Sequence, residues 1–146
     1  MVIELIRCAP DGTPIAPVAA MPEELVANCQ LGADLYRRIG YVEPWVGYIA
    51  VADDTAVGGG AFVGPPKDGC VEIAYFTLPQ SQGRGIAGQI AAELIAIARA
   101  TDPSMKLKAF TLMEENSSVR ILRRLGFSMV GTAHDADAGE VWEWRK

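Results

Sequence analysis

Histidine is almost absent: His134 is the only one in 146 residues. A histidine-based metal site has no ligand set here, and no metal is expected. A Ser-His-Asp arrangement would have to pass through that one residue, in the turn-like acidic stretch "AHDADAG". Cysteine is sparse too. Cys8, Cys29 and Cys70 are odd in number and far apart, with no C-x-x-C. This speaks against a disulfide framework or zinc site and for reduced thiols in a cytoplasmic compartment. Positive charge is short: 13 Lys and Arg face 18 Asp and Glu, for a net charge of −5. Nucleic acid and anionic membranes reward clustered Lys and Arg, so neither is the expected partner. The longest apolar run, 86–98, is broken by Gln89 and Glu93 and is too short to span a bilayer. The opening "MVIELIRCAPDG" carries Glu4 and Arg7 where a signal peptide needs an unbroken apolar core.

What is present is an ordinary globular composition, half hydrophobic and 21% charged. The length suits a single domain, 1–146, and a domain of this size buries roughly 68–70% of its unfolded surface. "VIELIRC" (2–8) reads as a strand and 9–20 as a loop. Pro22 followed by Glu23 and Glu24 starts a helix, because Pro suits the first turn and acids favour the positive end of the dipole. It should run to about Gln30, with a second helical piece over 32–39. "WVGYIAVAD" (45–53) and "TAVGGGAFVG" (55–64) form a hairpin around Asp53-Asp54. Gly58–Gly60 imply a bulge or a close backbone contact in its second strand. "CVEIAYFTL" (70–78) is the clearest strand, stopped by Pro79. Residues 83–100 carry helical spacing in Ile86, Ile90, Leu94 and Ile97. A strand at 106–113 and a capped helix at 116–126 follow, then two strands, "FSMVGTA" and "EVWEWRK". The class is α+β: a mixed, mostly antiparallel sheet of about seven strands with about four helices.

Gly83, Gly85 and Gly88 spell G-x-G-x-x-G, the dinucleotide pattern. In that fingerprint a strand runs directly into the first glycine, and an acidic residue ends the next strand about 20 residues on. Here Pro79-Gln80-Ser81-Gln82 intervenes, and no acid stands in the right place. An anion cradle at a helix start fits better, since glycines admit a phosphate to the free N–H groups there. A plain glycine-rich turn before a core helix is the alternative.

Gln82-Gly83-Arg84-Gly85-Ile86-Ala87 resembles Q/R-x-x-G-x-G/A, the acetyl-CoA pyrophosphate motif of the GNAT N-acetyltransferases. "TLMEENSSVRILRRLGF" resembles a second conserved region, and "GGGAFVGPPKDGCVEIAY" is similar to the branch that includes ribosomal-protein acetyltransferases. The likeness spans about residues 45–146. It implies acetyl transfer from acetyl-CoA to a primary amine, small-molecule or peptide, by direct attack. It also implies fourth and fifth strands that splay apart, with the pantetheine arm lying between them. Backbone groups of Phe76, Thr77 and Leu78 would bind that arm. Gln82, Gly83, Arg84, Gly85, Ile86, Ala87 and Gly88 would take the pyrophosphate, and Asn116 would reach the arm from the other side or simply cap its helix.

Glu72 is the candidate base. Alternation puts Cys70, Glu72, Ala74 and Phe76 on one face, where apolar neighbours would raise its pKa; a surface ion pair is the alternative. Many family members protonate the departing thiolate with a tyrosine in the second-region helix. Here that helix reads Ile121-Leu122-Arg123-Arg124, so Ser118 or water would substitute. Tyr75 faces away from Glu72 and receives no role. Arg120, Arg123 and Arg124 either meet the ribose phosphate or form a solvated face. A non-catalytic acyl-CoA sensing module is the competing reading, and the open sheet edge with the C-terminal strand allows a homodimer.

Overall fold

The computed structural model describes residues 1–146. Its elements run β1 (Glu4–Arg7), α1 (Glu23–Ile39), β2 (Gly47–Ala52), β3 (Thr55–Phe62), β4 (Cys70–Thr77), a single 3-10 turn (Pro79–Ser81), α2 (Ile86–Thr101), β5 (Lys106–Leu112), α3 (Ser117–Arg124), β6 (Ser128–Asp135) and β7 (Gly139–Arg145). The seven strands form one sheet in the order β1-β2-β3-β4-β5-β7-β6. Only β4 and β5 pair in parallel, over Cys70–Glu72 and Lys106–Lys108. No helix is long and apolar enough to cross a membrane.

The expected break after Gln30 is absent, so three helices flank the sheet rather than four. Gly32 costs a helix interior about 1 kcal/mol relative to Ala. Burial of Leu25, Cys29, Ala33 and Tyr36 along one stripe offsets this. Pro22 stands just outside as the N-cap, with Glu23 and Glu24 in the first turn. The β2–β3 hairpin closes on Asp53 (φ 50°) and Asp54 (φ 64°), the double positive φ of a type I′ turn.

Both readings of Gly58–Gly60 are realised. The β2–β3 register shifts between Ala50 and Val51. A Cβ on Gly60 would come within 2.8 Å of Ile90 Cγ2 and 3.0 Å of Leu94 Cδ1, so α2 lies directly on β3 there. A Cβ on Gly59 would meet the Phe76 ring at 2.8 Å on the opposite face. Ile86, Ile90, Leu94 and Ala98 form the buried stripe of α2, within a core that includes Ile73, Leu107, Leu122 and Trp144. Gly60→Val should therefore overpack this contact and cost about 1–3 kcal/mol, read as a lower denaturant midpoint at unchanged m-value.

The tryptophans anchor packing. Trp45 meets Phe62 edge-on at 5.1 Å, and Trp144, buried, donates its indole N–H to Thr111 Oγ1 at 2.9 Å.

Candidate active site

The site grows out of a mismatch between strands. β4 runs on to Thr77 and β5 to Leu112, yet their pairing stops at Glu72 and Lys108. Beyond that point β4 is bonded on its β3 side alone. Which residues face the gap is fixed by four hydrogen bonds. Leu78 N–H donates to Val57 C=O (2.8 Å) and Val63 N–H to Glu72 C=O (2.9 Å), so even-numbered residues turn toward β3. Lys106 N–H donates to Gly69 C=O (3.1 Å), and Gln82 Nε2 donates to Thr77 C=O (3.3 Å). Odd-numbered residues thus turn toward the gap, and the β3–β4 register runs without a shift between them. Ile73 N–H closes the last β4–β5 bridge, at Glu72 and Lys108, so the open edge consists of Ile73 C=O, both groups of Tyr75, and Thr77 N–H.

This corrects the expected backbone ligands. Of Phe76, Thr77 and Leu78, Thr77 alone offers main chain to the gap. Phe76 lines the cavity, but its peptide groups bond toward β3. Leu78 is fully buried, and its C=O is taken by Ser81 N–H at 2.8 Å.

Past Pro79 the chain enters a cradle. The main-chain N–H groups of Gly83, Arg84, Gly85, Ile86, Ala87 and Gly88 donate to nothing in the protein; the first helical bond of α2 runs from Gln89 N–H to Gly85 C=O, 3.3 Å. Gly83 (φ 82°) and Gly85 (φ 73°) occupy the left-handed region that turns these amides one way, and a Cβ on either would meet only open space. Gln82 braces the cradle to β4 through its bond to Thr77.

The cradle opens into a cavity of about 530 Å³, lined also by Tyr75, Thr77, Ser118 and Ile121. The start of α3 faces it as well: its first bonded amide is Val119, which donates to Asn116 Oδ1 at 3.0 Å, leaving the N–H groups of Ser117 and Ser118 free. Thr77 Oγ1 is buried without a partner. Two helix starts, a run of free amides, an unpaired strand edge and an orphaned hydroxyl meet in one cavity. Such a donor set fits a diphosphate joined to an amide-bearing arm, which is what coenzyme A offers.

Two expected ligands fall differently. Arg84 is exposed and does not line the cavity. Asn116 caps α3 with its Oδ1 and also stands outside the lining. Of the α3 arginines, Arg124 lines the cavity. Arg123 is held by Glu115 (2.7 and 2.9 Å) and sits 5.5 Å from the Trp144 ring centroid. The signal for Arg124 was helical spacing: Ser117, Ile121 and Arg124 recur at i, i+4 and i+7. Tyr75 turns away from Glu72, as alternation predicts, but toward the cavity. Its side chain lines the cavity, its hydroxyl has no protein partner, and burial pushes its pKa up to about 12, so it stays an O–H donor.

Glu72 lies at the last paired position of β4, half-buried, and outside the cavity lining. Burial raises its pKa; Lys108 opposes the rise, and Asp135 and Glu143 add to it. No cation lies within 4.0 Å of its carboxylate. Lys108, its register partner, holds its ammonium 5.9 Å from the Phe110 ring centroid instead.

Residues 15–128 match the model of the acetyltransferase (GNAT) domain, and the chain belongs to that family. It is an acetyl-CoA-dependent N-acetyltransferase. No curated protein matches it in sequence. Among solved structures, RimL, a ribosomal L7/L12 alpha-N-protein acetyltransferase in complex with coenzyme A, superposes with a TM-score of 0.69 at 18% identity, covering 99% of this chain and 93% of its own. A ribosomal-protein-alanine N-acetyltransferase from Brucella melitensis gives 0.65 at 18% identity, with 100% and 99% covered. An N-acetyltransferase from Staphylococcus aureus Mu50 gives 0.67 at 14% identity, with 100% and 98% covered. At these identities the likeness is one of fold.

Proposed function

We propose that the enzyme acetylates a primary amine, on a small molecule or peptide, by direct attack at the β4–β5 gap, with Glu72 as base and Tyr75 as acid. The observation carrying this reading is the run of unpartnered amides from Gly83 to Gly88, opening into the same cavity as Tyr75. Acetyl-CoA, when bound, supplies an activated acetyl thioester.

The cradle amides hold its diphosphate, with Arg124 and the free amides of α3 adding positive potential. The open edge of Ile73, Tyr75 and Thr77 orients the arm as an added strand would be oriented. Glu72, ionised, takes the proton of the incoming ammonium, directly or through one water. The nitrogen then bonds to the acetyl carbon, the carbon–sulfur bond breaks, and the second proton shed by the nitrogen passes through water to replace the one Tyr75 gives the thiolate. The N–H of Tyr75 faces the gap as a donor to the carbonyl oxygen, where charge develops. The Tyr75 hydroxyl donates to the departing thiolate. Ser118, one of the hydroxyl residues lining the cavity beside Thr77 and Ser117, holds the arm. With Tyr75 in place, the lack of a tyrosine in α3 no longer favours a binding-only module.

The three free, buried cysteines accord with a reducing, cytoplasmic setting. The unpaired outer edge of β6 is the surface a second copy would use.

Thiol release from acetyl-CoA that depends on added amine tests the reaction. Tyr75→Phe should lower kcat by up to about 10²-fold, the low end of general-acid effects since a thiolate also leaves unaided, with acetyl-CoA affinity kept. An unchanged kcat would remove Tyr75 from the chemistry.

A further inference from the structure

A second cavity, about 180 Å³, lies between α1 and the sheet. Its floor is a row of small residues: Gly47 of β2 pairs with Ala61 of β3, and Ala61 pairs with Ala74 of β4. A Cβ on Gly47 would point at the Tyr36 hydroxyl of α1, 3.0 Å away, whereas one on Gly60 points at α2. Ala61 and Ala74 therefore share the α1 face, and the row makes a trough leading from the cavity to Ala74, which is exposed. Glu72 lies two residues along β4 on that same face. The cavity and the proposed base thus lie along one continuous surface.

The lining says what the cavity selects. The Tyr36 hydroxyl already accepts from Gly47 N–H at 2.7 Å, and the Tyr48 hydroxyl donates to Pro44 C=O at 2.7 Å. Leu25, Leu35 and Cys29 supply most of the rest, with Asn28 as the one side-chain amide. Leu31 stands in the lining on α1 with 67% of its surface exposed, an apolar residue facing water. At the far end of the trough the charge is of the other kind. Asp135 and Glu143 add negative field at Glu72, which Lys108 offsets in part, while Arg145 is occupied by Glu143 at 2.6 Å.

We propose that the acceptor is a primary amine carrying one compact, uncharged apolar group, which seats in the α1 cavity while the nitrogen lies over Ala74 within reach of Glu72. This rests on the acetyl-transfer reading above and names its acceptor class. An apolar cavity of about 150 Å³ holds a benzene molecule, so this one takes a phenyl ring or a branched alkyl group. Neighbouring strands lie about 4.8 Å apart and residues i and i+2 about 6.7 Å apart. The span favours about two to four methylenes between ring and nitrogen. Polyamines and amino sugars have no apolar group to bury and would leave the cavity without a guest.

The test is steady-state thiol release with phenylalkylamines of increasing linker length, spermidine, glucosamine and ethylamine, on wild type, Ala61→Leu and Leu31→Ser. Calorimetry of 3-phenylpropylamine binding to the CoA-loaded protein runs beside it. The expected kcat/KM peaks at an intermediate linker, at least tenfold above spermidine and glucosamine. Ala61→Leu fills the trough and should raise KM for phenylalkylamines at least tenfold, with KM for acetyl-CoA unmoved. Leu31→Ser, on an exposed residue that cannot threaten folding, should raise it several-fold. Preference for spermidine or glucosamine, or phenylalkylamine KM values indifferent to both variants, overturns the assignment while leaving acetyl transfer intact. Absence of thiol release with every amine refutes acetyl transfer instead. Calorimetry then decides the cavity: binding weakened by Leu31→Ser supports it, and binding unaffected by either variant overturns it.

Discussion

Glutamate at Gly85 is expected to erase the thermal stabilisation that acetyl-CoA gives the wild type, while glutamate at Gly69 leaves it intact. A ligand of the native state at a hundredfold excess over its Kd stabilises by about 2.7 kcal/mol, or roughly 5–10 °C for a domain of this size. Gly85 is the N-cap of α2 and lies in the middle of the unpartnered amides. A Cβ there meets nothing within 4 Å, and Gly85 itself lines the cavity. A carboxylate so placed would occupy the amides itself and repel a diphosphate. The change also carries strain, because a non-glycine residue in the left-handed region costs about 1–2 kcal/mol. Gly69 is the matched control. It has nearly the same φ (74° against 73°), and a Cβ there also meets nothing within 4 Å, but it lies in the turn before β4, outside the cavity lining. Both variants should lose similar stability without ligand, and only Gly85→Glu should lose the response to it. An equal acetyl-CoA shift in the two variants would move the diphosphate out of the cradle.

Glu72→Gln should lower kcat by about 10²–10⁴-fold, the range of a positioned general base, while acetyl-CoA affinity stays within error. The affinity is spared because Glu72 does not line the cofactor cavity. Burial raises the Glu72 pKa above its ordinary 4.5, and the carboxyl must be ionised to take a proton. Wild-type kcat/KM should therefore climb with pH through that raised value, and Glu72→Gln should lose this limb. Stability moves the other way. A carboxyl with a raised native pKa holds its proton longer when folded than when unfolded. Its ionisation therefore costs native stability as pH rises from about 4.5 through the folded value. Glutamine has no such cost, so Glu72→Gln should melt no lower than wild type at neutral pH. A low kcat in a variant of undiminished stability separates lost chemistry from lost fold. Full activity in Glu72→Gln would sink the assignment of the base.

Much of the fold was legible because its signals are local. Asp53-Asp54 closes a tight hairpin through its own φ angles, and Ile86, Ile90 and Leu94 repeat at a helix period. The break expected at Gln30 was a local signal overruled. Gly32 weakens an isolated helix, but the stripe from Leu25 to Tyr36 has the sheet to bury against. The cradle was legible too, since Gly83 and Gly85 mark backbone that side chains would obstruct. The phase of β4 was not. A strand alternates its hydrogen bonding as well as its side chains, so of the consecutive residues Phe76, Thr77 and Leu78 only Thr77 opens its main chain to the gap.

By itself, the sequence determined the hairpins, the helical stripes, the glycine turn at the start of α2 and the family motif, because each is written in residues a few positions apart. Only the tertiary structure decided that Tyr75, Arg124 and the first turn of α3 share a cavity with that turn, and that Ala61 and Ala74 lead from α1 to Glu72. Those neighbours are distant in sequence. Which of them meet depends on where β5 stops pairing with β4, a long-range register that no short stretch of chain sets.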